Sequence, residues 1–280
     1  MILLDLSPTI YSTFLATHAE GADVDENFLR HLILNSIRSY LVKFRNEYGE
    51  LVICTDSKGT WRKDIFPYYK ASRKASRDSS TYNWPRIFEA VENIKNEIRD
   101  NFPYKFISVP QAEADDIVGI LSKRFNTTEK ILIISVDKDF MQLQVHQNVN
   151  QYDPVRKTFL YCADAVEYLR THILIGDRGD GIPNFLSDDD TFVNKLKRQK
   201  PLHKKKVETW ITINPQDFCD ENMLRNYMRN KMLVDFEEIP EKISSDIHQA
   251  YDASIVVKKD LYPYFLKNKL NNLVNLMGDF

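Results

Sequence analysis

A chain of 280 residues, with 38 basic against 40 acidic side chains and a formal charge of −2, is long enough for one large domain or for a medium and a small one. The composition is that of a globular protein rich in Phe and Tyr, and no apolar run approaches the length of a membrane-spanning helix. Three widely spaced cysteines, Cys54, Cys162 and Cys219, with no C-x-x-C pair, exclude a disulfide scaffold and a zinc ribbon and imply a reducing compartment. The start carries Asp5 and no basic stretch ahead of an apolar core. It is not a signal peptide, and a cytoplasmic location is expected.

Taken in order, Ile2-Leu-Leu-Asp5 reads as a short buried strand, after which Leu6-Ser-Pro turns the chain. Residues 27–44 place Phe28, Leu32, Ile33, Ile37, Tyr40, Leu41 and Phe44 at helical spacing, with Asp25 or Glu26 as cap. Tyr48-Gly-Glu50 turns into a second strand, Leu51-Val-Ile-Cys-Thr-Asp56. Strand, helix and strand make a right-handed parallel crossover. Segment 57–85 follows, with Arg62, Lys63, Lys70, Arg73, Lys74 and Arg77 interleaved with Trp61, Phe66, Tyr68 and Tyr69. Basic and aromatic side chains together suit phosphate contacts and base stacking; alone, the segment reads equally as a solvated basic loop. It has few apolar anchors between Lys70 and Ser80, so a mobile loop is expected there.

A helix over 86–100 shows Ile87, Phe88, Val91, Ile94 and Ile98 on one face, and Phe106-Ile-Ser-Val109 is a further strand. A helix is then expected from Pro110, with Glu113, Asp115 and Asp116 in its first turns and Ile117, Val118, Ile120 and Leu121 as its apolar face. Ile131-Leu-Ile-Ile-Ser-Val-Asp137 is a strand, and a helix opens at Asp137-Lys-Asp139. Residues 149–152 and 157–161 read as a hairpin, and 164–175 as an amphipathic helix ending in Gly176-Asp177-Arg-Gly-Asp180-Gly181. Asp188-Asp-Asp190 offers a cap for another helix, before a basic stretch with Lys195, Lys197, Arg198, Lys200, Lys204, Lys205 and Lys206. That stretch suits a phosphate backbone or a solvated face. The remainder is helical, with a stripe of Met223, Leu224, Tyr227, Met228 and Met232 expected in the core.

Three apolar strands thus end in Asp5, Asp56 and Asp137. Runs without alternation belong to a parallel sheet covered on both faces, whose carboxyl ends share one ligand-binding edge. An acidic helix start is by itself an ordinary solvated end favoured by the dipole. Beside three strand-end carboxylates and Asp139, it points instead to divalent metal. An all-oxygen donor set favours Mg²⁺, with Mn²⁺ as substitute. So many carboxylates suit two ions about 4 Å apart, as in phosphodiester cleavage.

In combination, Asp5, Asp56 with its basic segment, Glu113-Ala-Asp115-Asp116, Val136-Asp137-Lys-Asp139 and Gly176-Asp177-x-x-Asp180 resemble the metal-dependent 5′ nucleases. That family includes flap endonucleases and the 5′-nuclease domains of bacterial DNA polymerases, and the likeness is strongest to the ribonucleases H of T-even-type bacteriophages. The resemblance implies an α/β fold with a mostly parallel central sheet, a catalytic domain over 1–185 with an arch at 57–85, and a small helical DNA-binding domain over 186–280. It implies that Asp5, Asp56, Asp115 and Asp137 serve a first metal, with Glu113 and Asp116 beside it, and that Asp139, Asp177 and Asp180 serve a second. Arg62 and Lys70 would face the scissile phosphate. Lys63, Tyr69, Arg73, Lys74, Arg77, Lys195, Lys197, Arg198, Lys204 and Lys205 would contact nucleic acid. Helix 164–175 with its turn is similar to a helix–turn–helix variant that holds duplex. Where many relatives have a second glycine-rich step, this chain has Asn184-Phe-Leu-Ser-Asp-Asp-Asp190, which argues against a potassium site.

The activity implied is 5′-to-3′ exonuclease and flap cleavage by a monomer on RNA–DNA hybrid and on duplex, forked or flapped DNA, removing RNA primers in phage replication. A non-catalytic branched-DNA binder on the same scaffold is the alternative, and it requires a lost ligand. Single-strand binding protein and a sliding clamp are the partners expected through the C-terminal region. Leu276-Met-Gly-Asp-Phe280 resembles a clamp-docking peptide, and reads equally as a final helix packed on its own domain.

Overall fold

A computed structural model of the protein describes every residue except 20, 22, 257 and 258. Six strands form one sheet: β1 (Ile2–Asp5), β2 (Leu51–Cys54), β3 (Lys105–Ile107), β4 (Ile131–Ile134), β5 (Val149–Asp153) and β6 (Thr158–Leu160), in the order β3-β2-β1-β4-β5-β6. All neighbours pair in parallel except β6, which returns antiparallel along β5 as the expected hairpin. Around the sheet lie α1 (Leu6–Thr17), α2 (Glu26–Tyr48), α3 (Arg62–Ile65), α4 (Ser72–Asp78), α5 (Trp84–Asn101), α6 (Ala114–Phe125) and α7 (Ala165–Ile175). After them come α8 (Lys204–Trp210), α9 (Pro215–Phe218), α10 (Glu221–Val234), α11 (Glu241–Ala253), α12 (Tyr262–Lys267) and α13 (Asn271–Val274).

Alternation of side chains along each strand feeds two apolar layers. Ile2, Leu4, Leu51, Ile53, Leu132 and Ile134 face a core built with α1, α2, α5 and α12. Leu3, Val52, Cys54, Ile131 and Ile133 face a second, built with α6, α11 and Phe140. Both faces are dry, which is why the strands read as unbroken apolar runs. A third cluster, with Phe66, Tyr69, Ile173, Leu174, Ile182, Phe185 and Val234, joins α7, α10 and the segment after β2. Residues 186–280 contribute to all three clusters.

Several local expectations are corrected. Leu6-Ser-Pro does not turn the chain; α1 begins directly at Leu6, and Pro8 sits in its first turn, where no N–H is needed. Pro110 does not open α6, because Gln111 takes a left-handed φ of 66° and Glu113 is the N-cap. The stretch after Asp137 is a 3-10 helix, Lys138–Val145. Asp188–Asp190 caps no helix: residues 184–203 form turns and irregular chain, and α8 begins only at Lys204, so no second helix directly follows the 176–183 turn. In α10 the buried residues are Asn226, Tyr227, Arg229, Asn230, Leu233 and Val234, whereas Met228 is exposed. The tail is packed: Phe280 is buried, with its ring 5.4 Å from Phe102 and 5.6 Å from Phe265, and Asp279 accepts from Arg38 at 2.7 Å. Phe280 is therefore a core residue here and not a free docking anchor. No helix among the described residues is long and apolar enough to cross a membrane.

Candidate active site

Strand order reverses between β1 and β4, and the crevice at their carboxyl ends is the switch point where open α/β sheets bind ligands. Asp5 closes β1, Asp56 follows β2, and Asp137 follows β4. Asp115 joins them from the first turn of α6, whose amino end reaches the same edge: Ala114 N–H donates to Asp56 Oδ1 at 3.0 Å. Ser135 spaces the group. Its hydroxyl donates to Asp5 Oδ2 at 3.0 Å and accepts the Asp137 N–H at 3.1 Å. Sequence reading passed over Ser135; the signal was a polar residue closing an otherwise apolar strand.

A second carboxylate group adjoins the first. Asp139 N–H donates to Asp137 Oδ1 at 2.9 Å. Asp177 and Asp180 come from the turn after α7, closed by an Asp177–Ile182 bridge and by the Asp180 N–H to Asp177 Oδ1 at 3.0 Å. Gly176 makes that turn possible. It takes φ +70°, and a Cβ there would lie 2.4 Å from the Ile182 carbonyl oxygen. His172, in the last turn of α7, points into this group; the sequence reading did not single it out. Burial holds its imidazole below the usual value, against the pull of Asp177, Asp137 and Asp180.

The carboxylates oppose one another's ionisation. Burial, then the charges of Asp56 and Asp137, push Asp5 well above the usual carboxylate range. Burial with Asp137 and Asp5 does the same to Asp115. Burial with Asp180 and Asp177 raises Asp137, although the Asp139 N–H counteracts it. Burial with Asp137, Asp177 and Asp180 raises Asp139. Asp5 Oδ1 is buried without a hydrogen-bond partner among the described residues. An unsatisfied buried carboxylate oxygen among mutually repelling neighbours is an arrangement that a cation would complete. The donor set is almost all oxygen, which fits a hard divalent ion.

Other expected site residues are committed to the protein. Asp116 is fully buried; its Oδ2 accepts from Trp61 Nε1 at 3.1 Å and from the Glu113 N–H at 2.9 Å, and Arg62 lies 2.9 Å from its Oδ1. Its carboxylate is thus engaged by protein donors. Glu113 Oε2 accepts from Thr60, Arg62 and Tyr69, and its Oε1 from Lys70 at 2.6 Å. Burial would raise Glu113, but Lys70 and Arg62 hold it below the usual range. Arg62 itself is 3% exposed, with Nε donating to the Leu233 carbonyl at 2.8 Å. In this structure its guanidinium is turned to protein partners.

Lys70 does face the crevice, part exposed, with Nζ 2.6 Å from Glu113 Oε1 and 3.5 Å from Asp180 Oδ2. Its backbone sits at φ 55° and its N–H donates to the Asp180 carbonyl at 2.7 Å, so the two loops are tied together. The stacking role expected of the aromatics is largely overturned. Trp61, Phe66 and Tyr69 are buried because they anchor this segment, and the Tyr69 hydroxyl lies 2.9 Å from Asp180 Oδ2; only Tyr68 is exposed. Lys63, Arg73 and Lys74 are exposed and Arg77 is half-buried, with Arg73 2.5 Å from Asp180 Oδ1. Residues 72–78 form α4, beside a cavity of about 840 Å³ lined by Arg73, Arg77, Trp84 and Phe88. Lys195, Arg198, Lys204 and Lys205 are exposed, while Lys197 is paired with Asp188 and Asp190.

Residues 1–169 match the 5′-3′ exonuclease, N-terminal resolvase-like domain, and residues 165–280 match the C-terminal domain of T4 RNase H. The ribonuclease H of Enterobacteria phage T4 is 31% identical over 99% of this chain and 95% of its own length. A flap endonuclease Xni of Shewanella oneidensis is 29% identical over 51% of this chain and 54% of its own. Among solved structures, the T5 D15 protein co-crystallised with metal ions shares the fold, with a TM-score of 0.64 at 13% identity, covering 89% of this chain and 98% of that one. A complex of the bacteriophage T5 D15 flap endonuclease with DNA and metal ions gives 0.63 at 13% identity, over 90% and 98%. With two family domains covering it end to end, the chain belongs to the 5′-3′ exonuclease family, on the branch of phage T4 ribonuclease H, and is a nuclease that hydrolyses phosphodiester bonds.

Proposed function

We propose that this nuclease is a Mg²⁺-dependent 5′-to-3′ exonuclease and flap endonuclease. It acts on RNA–DNA hybrid and on duplex, forked or flapped DNA, and removes RNA primers during phage replication in the host cytoplasm. Two ions serve it, and Mn²⁺ substitutes for Mg²⁺. The observation that carries this reading is the meeting of two carboxylate groups, Asp5, Asp56, Asp115 and Asp137 with Asp139, Asp177 and Asp180, at one sheet edge. The names of its relatives support the substrate classes.

When bound, the cations supply an activated water and offset charge building on the phosphate. The chain's own part is positioning and electrostatics. Lys70, held by Glu113 and Asp180, places one positive charge where the phosphate oxygens would enter. Arg73 and Arg77, on the adjoining α4, extend a basic rim toward the strand that carries the 5′ end. Exposed Lys195, Arg198, Lys204 and Lys205 suit phosphates of the duplex. Cleavage on the 3′-oxygen side leaves a 5′ phosphate.

The test is hydrolysis of three 5′-labelled substrates, a flapped duplex, a nicked duplex and an RNA–DNA hybrid, in Mg²⁺ or in chelator. Short 5′-phosphorylated products from all three in Mg²⁺ alone are expected. An intact hybrid would remove primer processing from the reading, and full activity in chelator would contradict the metal.

A further inference from the structure

The two carboxylate groups differ in one donor. Around Asp5, Asp56, Asp115 and Asp137 every candidate ligand atom is oxygen. In the second group His172 Nε2 joins carboxylate oxygens of Asp139 and Asp177, with the three ligand atoms all within 4.8 Å of one another. Ligands around a first-row divalent ion at about 2.1 Å stand about 3–4 Å apart, so only small side-chain adjustments close the triad. Nε2 is buried and has no hydrogen-bond partner among the described residues; Asp139 Oδ1 lies 3.5 Å away. The ring stacks on Tyr168, one turn back on α7, at 6.1 Å and 13°. An imidazole nitrogen buried without a partner, in a stacked ring and aimed between two carboxylates, has the geometry of a ligand.

We propose that His172 is a direct nitrogen ligand of the second cation, and that this makes the two sites chemically unequal. The inference rests on the two-cation reading above. The all-oxygen site suits Mg²⁺, whereas an imidazole donor shifts preference toward later first-row ions such as Co²⁺ or Zn²⁺ and favours Mn²⁺ over Mg²⁺. Mg²⁺ therefore displaces Mn²⁺ readily from the first site and poorly from the second.

The experiment is Mn²⁺ binding to the whole, DNA-free protein, followed by calorimetry and by pulsed electron paramagnetic resonance. Wild type should bind two Mn²⁺, one of them with a ¹⁴N coupling that persists when Mg²⁺ is added. His172→Ala should lose that coupling and weaken one site about 10–100-fold while the other keeps its affinity. Asp139→Asn should weaken the same site, which guards against a fold defect in the histidine variant, and circular dichroism checks both. Two bound Mn²⁺ without nitrogen coupling in wild type would overturn the role of His172 alone. A coupling that survives in His172→Ala would overturn it too. Failure to bind a second Mn²⁺ at all would overturn the two-cation reading and this inference with it.

Discussion

Arg62 and Asp116 form an ion pair at 2.9 Å with side chains 4% and 0% exposed. The pair joins the segment after β2 to the first turn of α6, and Arg62 also reaches Glu113 and the end of α10. Two residues with the look of catalytic groups therefore hold the frame on which Asp115 and Lys70 are mounted.

Replacing one member strands the other. Arg62→Met leaves Asp116 buried without its cation and Glu113 with Lys70 alone, and should cost about 3–5 kcal/mol of unfolding free energy. Denaturant titration checks this. A loss within about 0.5 kcal/mol would place Arg62 outside the frame.

Gly176 is required twice over, by its φ of +70° and by the carbonyl oxygens of Ile182 and Pro183 within 2.5 Å of any Cβ. Gly176→Ala should destabilise the fold by at least about 2 kcal/mol. Because Asp177 follows directly, cation affinity should fall as well. Thermal unfolding with and without Mn²⁺ reads both, with the variant gaining less from the ion than wild type.

Asp189 accepts from Arg225 and from the buried Arg229, which also donates to the Pro183 carbonyl. Burial would raise its carboxyl, but the two guanidinium groups hold it below the usual range. A depressed folded-state value gives stability that is present above the unfolded value and lost as pH falls through the folded one. Asp189→Asn should thus be less stable than wild type by about 1–2 kcal/mol at pH 7, and the gap should shrink as the pH falls below the usual carboxylate range. A gap independent of pH would show that packing, and not charge, carries the effect.

Exposed Lys195 and Lys205 should each act on a duplex through counterion release. Changing either one to Ala should reduce the slope of log affinity against log salt by about 1. Lys197 is already paired with Asp188 and Asp190, so Lys197→Ala should change the slope less. Fluorescence anisotropy at several salt concentrations separates the two cases.

The sheet and its acidic edge were legible because buried parallel strands leave unbroken apolar runs and because Asp closes them. Elements that depend on tertiary partners were not. The turn at Gln111 is set by the Trp61 N–H donating to its carbonyl at 3.0 Å, so Pro110 could not mark the start of α6. Trp61 and Tyr69 sit in a basic stretch, yet they are buried against Asp116 and Asp180. Local pattern cannot tell an aromatic that anchors a loop from one that meets a base. Ser135 works through Asp5 and Asp137, and its one signal is a polar residue at the end of an apolar strand. His172 acts through Asp139 and Asp177 from another element, so its contribution shows in three dimensions alone.

The most direct measurement compares wild type with Asp137→Asn on a 5′-labelled flapped duplex, reading single-turnover cleavage in Mg²⁺ and, in parallel, fork binding and metal-free thermal stability. Asp137 is raised by burial and by Asp180 and Asp177. A raised carboxyl costs stability as pH climbs past its unfolded value, so at pH 7 removing that charge should stabilise the metal-free fold. The account predicts a variant that binds the fork, melts at a higher temperature than wild type without metal, and cleaves at least about 10²-fold more slowly. Cleavage at the wild-type rate would contradict the assignment of this carboxylate edge as the catalytic centre.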